Sequence, residues 1–121
     1  MQFRFDAVFY YVSDLDAAVR FYTEVLGLKL RSRDAVARFD IDGVLFELVP
    51  TTDAGKMQGD GNARLCLEVD DVKAALQDLQ RRGVATTPAE VKSNGVLASF
   101  RDPDGNEICL WQYDTGGPVG H

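Results

Sequence analysis

The sequence has little of several residue types that mark particular functions. Its 121 residues include one histidine, which is the last residue, and two cysteines, Cys66 and Cys109. Two cysteines do not make a disulfide framework, and this pair does not form a Cys-x-x-Cys motif. A Ser-His-Asp catalytic set and a glycine-rich phosphate-binding loop are missing too. The common signatures of thiol redox enzymes, serine hydrolases and nucleotide-binding enzymes are therefore absent.

Basic charge and long apolar runs are scarce as well. The chain has 13 Lys and Arg against 19 Asp and Glu, which gives a net charge of −6. This balance argues against nucleic acid as a partner, because such binding is driven by neutralising phosphates. It suits a cationic ligand or serves solubility alone. No apolar run approaches the roughly 18 residues of a membrane span and no leader peptide is evident, so we expect no membrane partner and a cytoplasmic location.

What the sequence does contain is an internal repeat. Asp40-Ile41-Asp42-Gly43 and Asp102-Pro103-Asp104-Gly105 each precede a short apolar run. Asp-Gly favours a tight turn, so each copy predicts a turn that leads into a strand. Val12-Ser13-Asp14-Leu15 and Val69-Asp70-Asp71-Val72 form a second matching pair. The chain thus consists of two copies of a unit of about fifty residues.

Each copy predicts the order βαβββ, so the fold class is α+β. In module one, residues 5–50, the strands are 5–12, 28–33, 35–39 and 44–49. Its helix begins at Ser13 or Asp14, where Ser13 with Asp16 resembles a capping box, and ends at Gly27. In module two, residues 63–113, the strands are 64–69, 84–91, 96–100 and 107–112, and the helix runs from Asp70 or Asp71 to Gly83. Residues 51–62 are a linker, either a plain connector or a mobile flap, and residues 114–121 a flexible tail of a single domain, 1–121.

Three stretches carry a resemblance to a known family. VSDLDAAVRFYTEVLGL, VDDVKAALQDLQRRG and RDPDGNEICL, with the first strand, resemble the vicinal oxygen chelate superfamily, which holds glyoxalase I, extradiol dioxygenases, fosfomycin-resistance enzymes and bleomycin-resistance proteins. The resemblance covers Phe5 to Tyr113. It implies two tandem βαβββ modules that form an open half-barrel around a cavity, usually in a homodimer. The modules then pair either within one chain or across the dimer.

The resemblance also identifies four positions that hold metal ligands in the family's enzymes. Here they are Ala7, Glu47, Arg64 and Cys109, where the enzymes typically have His in place of Ala7 and Arg64 and Glu in place of Cys109. Alanine has no donor atom, and a guanidinium is a permanent cation. A divalent ion about 6 Å from Arg64 would be repelled by roughly 5 kcal/mol at an effective dielectric near 20. We therefore expect no metal and no other cofactor.

Strand alternation then predicts the cavity wall. On the first strand Ala7, Phe9 and Tyr11 should face the cavity, while Val8, Tyr10 and Val12 pack on the helix. Because this strand has no polar face, we expect it to be covered on both sides. By the same parity, the residues of the other strands that should face the cavity are Leu45, Glu47, Val49, Arg64, Cys66, Glu68, Glu107, Cys109 and Trp111. The candidate ligand-binding residues are Phe9, Tyr11, Glu47, Arg64, Cys66, Cys109 and Trp111. The aromatic residues form either a stacking surface or part of the core. The thiols are either inert or, beside Arg64, reactive.

Arg64 and Glu47 are the charged pair in this set. An uncompensated charge in a low-dielectric cavity is unfavourable, so the resemblance implies that these two residues pair. Their pairing is either a structural salt bridge or a device by which Arg64 grips an acidic group of a ligand while Glu47 orients it.

Three functions remain open at this point. The first is a non-metal small-molecule-binding protein that sequesters an antibiotic, as bleomycin-resistance proteins do. The second is an enzyme: a lyase or isomerase similar to glyoxalase I, or a dioxygenase-like enzyme, with an atypical metal site, or a metal-free catalyst with Glu47 as general base. The third is an interaction module whose cavity is filled by its own side chains. We favour the first, with a small-molecule partner and a homodimer.

Overall fold

The structure, a computed structural model, describes residues 1–2, 4–56 and 64–114. These residues belong to two compact units. The first unit comprises Met1–Gly59 and Pro103–Asn106, and the second Asp60–Asp102 and Glu107–His121. Residues 57–62 of the predicted linker and residues 115–121 of the predicted tail lie outside the described residues.

Each unit has the predicted βαβββ order. The first contains β1 (Val8–Val12), α1 (Leu15–Arg20), β2 (Leu30–Arg33), β3 (Ala37–Ile41) and β4 (Val44–Pro50). A π-helical turn, Phe21–Val25, continues α1, and a 3₁₀ turn, Ala54–Lys56, follows β4. The second contains β5 (Leu65–Glu68), α2 (Val72–Arg81), β6 (Glu90–Lys92), β7 (Gly95–Arg101) and β8 (Glu107–Tyr113). Within the described residues, the helices are all too short or too polar to span a membrane.

The two sheets share one topology. Their strand orders are β1-β4-β3-β2 and β5-β8-β7-β6. In each sheet the strand before the helix runs parallel to the last strand, and the other pairs are antiparallel. Phe9 is the register partner of Glu47, and Cys66 is the partner of Cys109. The structure therefore confirms the α+β class and two four-stranded mixed sheets.

The Asp-Gly turn of the first repeat is a two-residue hairpin. Asp42 and Gly43 have φ angles of 55° and 84°, as a type I′ turn requires. The Oδ1 atom of Asp40 accepts a hydrogen bond from the Gly43 amide at 2.9 Å. Since this turn fixes the register of β3 on β4, Arg38 lies opposite Glu47.

One aspartate caps each helix. The Asp14 side chain accepts from the Ala17 amide at 3.1 Å, and the Asp71 side chain accepts from the Ala74 amide at 3.2 Å. The alternative cap, Ser13 in a capping box, is wrong. Its hydroxyl instead donates to the Oδ1 atom of Asp104 at 2.5 Å.

The cap of α2 yields a test with a matched control. Replacing Asp71 by alanine removes the acceptor of an otherwise unpaired helical amide, and we expect the free energy of unfolding to fall by about 1 kcal/mol. The control is Asp70→Ala, which removes the same charge from a neighbouring residue that does not cap the helix. Urea denaturation should therefore separate the two variants, and equal losses would contradict the assigned cap.

The turn between β7 and β8 belongs to the first unit. Asp104 accepts from the amide of Ser13 at 3.1 Å as well as from its hydroxyl. The side-chain Nδ2 atom of Asn106, a residue only 6% exposed, donates to the carbonyl oxygen of Tyr11 at 3.1 Å. These bonds hold the turn at the end of β1.

The core of each unit lies between one face of the sheet and its helix. In the first unit Tyr22, Phe39 and Phe46 are fully buried and contact one another through their rings. In the second unit the helix contributes three buried residues and the sheet four, namely Val72, Leu76 and Leu79 against Ala98, Phe100, Ile108 and Leu110.

Two strand predictions need correction. β1 begins at Val8 and not at Phe5. Val8 pairs with Phe46, and the partner strand β4 begins only two residues earlier, at Val44, so β4 has no residue to pair with Phe5. β1 is also covered on one side only, since Phe9 is 47% exposed. The strand expected over 84–91 is reduced to β6 and an isolated bridge at Thr86, because Pro88 interrupts the segment between them.

Candidate functional site

The face of the first sheet that does not pack on α1 carries aromatic and charged side chains. Phe9 and Tyr11 of β1 meet edge to face with their ring centroids 5.2 Å apart. The Nζ atom of Lys56 lies 5.5 Å from the centroid of the Tyr11 ring, within cation–π range. This face thus combines an aromatic surface with a cation above it.

Glu47, on the same face, is bound to a residue that the sequence analysis missed. The Nε atom of Arg38 lies 3.3 Å from its carboxylate, and the Nη1 atom of Arg38 lies 3.1 Å from Asp34. The backbone amide of Val36 and, after it, the Arg38 guanidinium lower the pKa of Asp34. The sequence signal that could have identified this pair was the Asp42-Gly43 hairpin. A two-residue turn fixes the register of the two strands it joins, and this register places Arg38 beside Glu47.

The corresponding face of the second sheet carries Arg64 and Glu107 as an ion pair. The hydroxyl of Ser99 donates to the other Glu107 oxygen at 3.4 Å. Glu107 was expected to face the cavity but was not among the candidate binding residues. Its carboxylate holds the guanidinium of Arg64 against the sheet.

This ion pair lines a concavity of about 580 Å³ within the second unit. Its floor includes Leu97, Ser99 and Cys109 of the two central strands, and one wall is the segment 87–90. A volume between about 300 and 1,000 Å³ is typical of small-molecule sites, which combine apolar walls with a few polar groups. The concavity has this composition, with one guanidinium, two carboxylates and a thiol beside leucine, proline and alanine.

Trp111 belongs to β8, and its indole is held in place by packing on a glycine of the neighbouring strand. It is half-buried and pairs with Leu97 of β7 and Glu68 of β5. A Cβ atom on Gly95 would lie 2.5 Å from the Cζ2 atom of the indole. The ring therefore rests against the glycine backbone, and the Trp111 and Tyr113 rings meet edge to face with centroids 5.6 Å apart.

The seven predicted site residues fall into two groups. Phe9, Tyr11 and Glu47 lie on the first sheet, and the other four, Arg64, Cys66, Cys109 and Trp111, lie on the second. Glu47 and Arg64 each have an ionic partner on their own sheet. The charges of Glu47 and Arg64 are therefore already compensated by these partners, without the Arg64–Glu47 pair that the resemblance implied.

The metal implied by the resemblance does not fit these residues. Glu47 is bound to one guanidinium, and Arg64 supplies another at a position where a ligand would be needed. In the described ranges, no three His, Cys, Asp or Glu side chains are grouped as metal ligands. A guanidinium cannot ligate a cation and repels it at short range.

The two thiols lie on the open face of the second sheet. Cys66 is exposed and Cys109 half-buried, and both are free. Partial desolvation and, after it, the neighbouring Cys109 raise the pKa of the Cys66 thiol. A raised pKa keeps the thiol protonated near neutral pH and lowers its nucleophilicity.

Comparisons with known proteins agree on the fold. The chain is 34% identical to lactoylglutathione lyase of Arabidopsis thaliana over 90% of its own length and 44% of that protein, so it spans less than half of that relative. It is 27% identical to a probable lactoylglutathione lyase of Vibrio cholerae over 84% of each chain. Among solved structures, the antibiotic binding protein TnmS3 from Streptomyces sp. CB03234 superposes with a TM-score of 0.80 at 30% identity, covering 93% of this chain and 98% of TnmS3.

A family model settles the classification. Residues 4–110 match the model described as Glyoxalase/Bleomycin resistance protein/Dioxygenase superfamily. The match covers most of the chain and includes both helices, β1 to β7 and the first four residues of β8. The chain therefore belongs to the glyoxalase, bleomycin-resistance and dioxygenase superfamily.

Proposed function

We propose that this protein binds a small organic molecule without a metal and sequesters an antibiotic. The observation that carries the proposal is the concavity of about 580 Å³ in which the Arg64–Glu107 ion pair and Cys109 lie. The similarity to TnmS3, which is described as an antibiotic binding protein, supports it. The homodimer and the cytoplasmic location expected from the sequence belong to the same proposal.

The side chains of the concavity indicate the ligand chemistry. The Arg64 guanidinium is planar and offers several donors, which suits a carboxylate of the ligand. Glu107 holds the guanidinium in position and, with Ser99, offers further polar contacts. Leu97 and the segment 87–90 supply apolar surface. The ligand in this proposal is therefore a molecule with an apolar body and an acidic group.

The first sheet supplies a second surface of the same kind. Phe9 and Tyr11 expose aromatic surface suited to stacking with a planar ring. Lys56 adds a positive charge over Tyr11, and Glu47 is kept in place by Arg38. These groups extend the proposed ligand set to Phe9, Tyr11 and Glu47, with Cys66 and Trp111 beside the concavity.

The proposal is tested by replacing Arg64 with methionine, which keeps much of the apolar stem and removes the charge. Loss of a charged hydrogen bond to the ligand should weaken binding about 10- to 100-fold. Binding is measured from the fluorescence of Trp111, the one tryptophan of the chain, during titration with a panel of planar antibiotics that carry carboxylates. The measurement is repeated with a chelator, which should change nothing.

The matched control is Arg81→Met, which removes an equal charge from an exposed arginine of α2. Its ligand affinity should equal that of the unaltered protein. If Arg64→Met lowers only the melting temperature and leaves binding unchanged, the ion pair is a structural salt bridge. If no member of the panel changes the fluorescence, the binding proposal fails.

A second candidate is a lyase of the glyoxalase I type. The relatives named lactoylglutathione lyase favour it, although Ala7 and Arg64 stand where the resemblance implies ligands. Elemental analysis of the purified protein distinguishes the two. One stoichiometric Zn, Ni, Mn or Fe per chain, together with lyase activity that a chelator abolishes, would establish the enzyme and reject the metal-free binder.

A further inference from the structure

The two cysteines form a pair that the proposed function does not explain. Cys66 of β5 and Cys109 of β8 are register partners on adjacent parallel strands. Ile108 and Leu110, which flank Cys109, are buried on the helix side, so Cys109 and its register partner Cys66 point to the opposite face. The pKa of the Cys66 thiol is raised by partial desolvation and, after it, by the neighbouring Cys109.

The spacing of parallel strands bears on whether such a pair forms a disulfide or binds a metal ion between its two sulfurs. Adjacent strands lie about 4.7–4.9 Å apart, and side chains in register keep a similar separation. A disulfide allows Cα atoms about 4.4–6.8 Å apart, which includes this spacing, but it needs Cβ atoms only about 3.5–4.5 Å apart, so the two side chains would have to lean toward each other. Two collinear metal–sulfur bonds, each about as long as the 2.3 Å of a zinc–thiolate bond, span a distance close to the strand spacing.

The donor set narrows the choice of metal. Thiolates select soft ions such as copper(I) and, in sets of four, zinc. In the part of the chain that the structure describes, no third His, Cys, Asp or Glu completes a group around this pair. A tetrahedral site is therefore not formed by these residues, whereas two thiolates suffice for linear coordination.

We propose that Cys66 and Cys109 form a two-coordinate binding site for a soft monovalent cation of the copper(I) type. The geometry places both sulfurs on an accessible face, since Cys66 is exposed at the edge strand and Cys109 lines the concavity. Binding displaces one proton from each thiol and forms two metal–thiolate bonds, so the complex carries one net negative charge.

The surrounding charges accommodate this complex. Arg64 precedes Cys66 by two positions and Glu107 precedes Cys109 by two, so all four face the same side. The Arg64 and Glu107 charges offset each other, and Glu68, on the same face, is exposed to solvent that screens it. The site is therefore not opposed by a buried like charge.

The experiment is an anaerobic titration of the full chain with copper(I) in competition with a chromophoric copper(I) chelator. We expect one equivalent to bind, with a thiolate-to-copper charge-transfer band and an X-ray absorption spectrum of two sulfur neighbours. Cys66→Ser and Cys109→Ser should each weaken binding at least about 100-fold, the loss that even outer-shell substitutions at metal sites reach. Because these are the only cysteines, the double serine variant supplies the baseline.

Three results would overturn the proposal. One is binding to either single variant as tight as to the unaltered protein, and another is a spectrum dominated by nitrogen or oxygen neighbours. The third is rapid formation of an intramolecular disulfide with dilute hydrogen peroxide. In that reaction the two thiols are oxidised to one disulfide, and the peroxide is reduced to two water molecules. Circular dichroism verifies that the serine variants fold. The titration contains no organic ligand, so its outcome and that of the antibiotic titration are independent.

Discussion

Replacing Phe46 by alanine is expected to lower the free energy of unfolding by about 4 kcal/mol, the largest loss we predict for a single side chain. Phe46 is fully buried on a central strand of the first sheet. Its ring lies 5.2 Å from that of Tyr22, 5.7 Å from that of Tyr10 and 6.1 Å from that of Phe39, measured between centroids. Truncation would leave a cavity among three rings that have little freedom to fill it.

The control is Phe9→Ala, which removes the same atoms from the adjacent strand. Phe9 is 47% exposed on the other face of the sheet, so its truncation leaves no enclosed cavity. We expect it to lower the free energy of unfolding by about 1 kcal/mol. Guanidinium denaturation of both variants, followed by far-UV circular dichroism, measures the difference. Similar losses would mean that the ring of Phe46 is not the centre of the core.

Replacing Gly95 by alanine is the second substitution with a large expected effect, about 3 kcal/mol of destabilisation. Gly95 is buried at the start of β7. An added Cβ atom would come within 2.5 Å of one carbon of the Trp111 indole and 2.9 Å of another, and closer still to the carbonyl oxygen of Gln112. The carbonyl belongs to the backbone of β8 and cannot rotate away, so either the strands or the indole must shift.

Two readouts distinguish this steric effect from a general weakening. The melting temperature should fall by roughly 10 °C. The fluorescence maximum and the near-UV circular dichroism should also change in the folded protein, because the displaced ring is the single tryptophan. Ser93→Ala, in the exposed turn before β7, should alter neither. A folded Gly95→Ala protein with an unchanged tryptophan spectrum would contradict the packing of Trp111 on this glycine.

Local chemistry made much of the fold predictable. The Asp42-Gly43 turn, the caps Asp14 and Asp71 and the alternation along β1 depend on neighbouring residues, and their geometry follows from residue type. The helix of the first module was predicted as one continuous helix that ends at Gly27. The change to a π-helical turn at Phe21 has no such local signal.

The candidate site was predictable only in part, because its contacts join residues distant in sequence. Parity along the strands predicted that Arg64, Glu107 and Cys109 share a face. It did not predict that Glu107 binds Arg64 or that the segment 87–90 forms a wall of the concavity. Which side chains pair across two strands depends on the register of the strands, and the register depends on the segment that joins them. Where that segment is a two-residue hairpin, as between Arg38 and Glu47, the partner follows from the sequence. Where the joining segment contains a helix, the partner does not follow.

The turn that carries Asp104 and Asn106 comes from the second repeat but bonds to Ser13 and Tyr11 of the first. A polypeptide that ended after one repeat would leave the Tyr11 carbonyl without this donor. A protein made of two separate copies of the repeat would therefore need a second polypeptide to supply this turn. In this chain the covalent connection supplies it from within one molecule, so the contact does not depend on protein concentration.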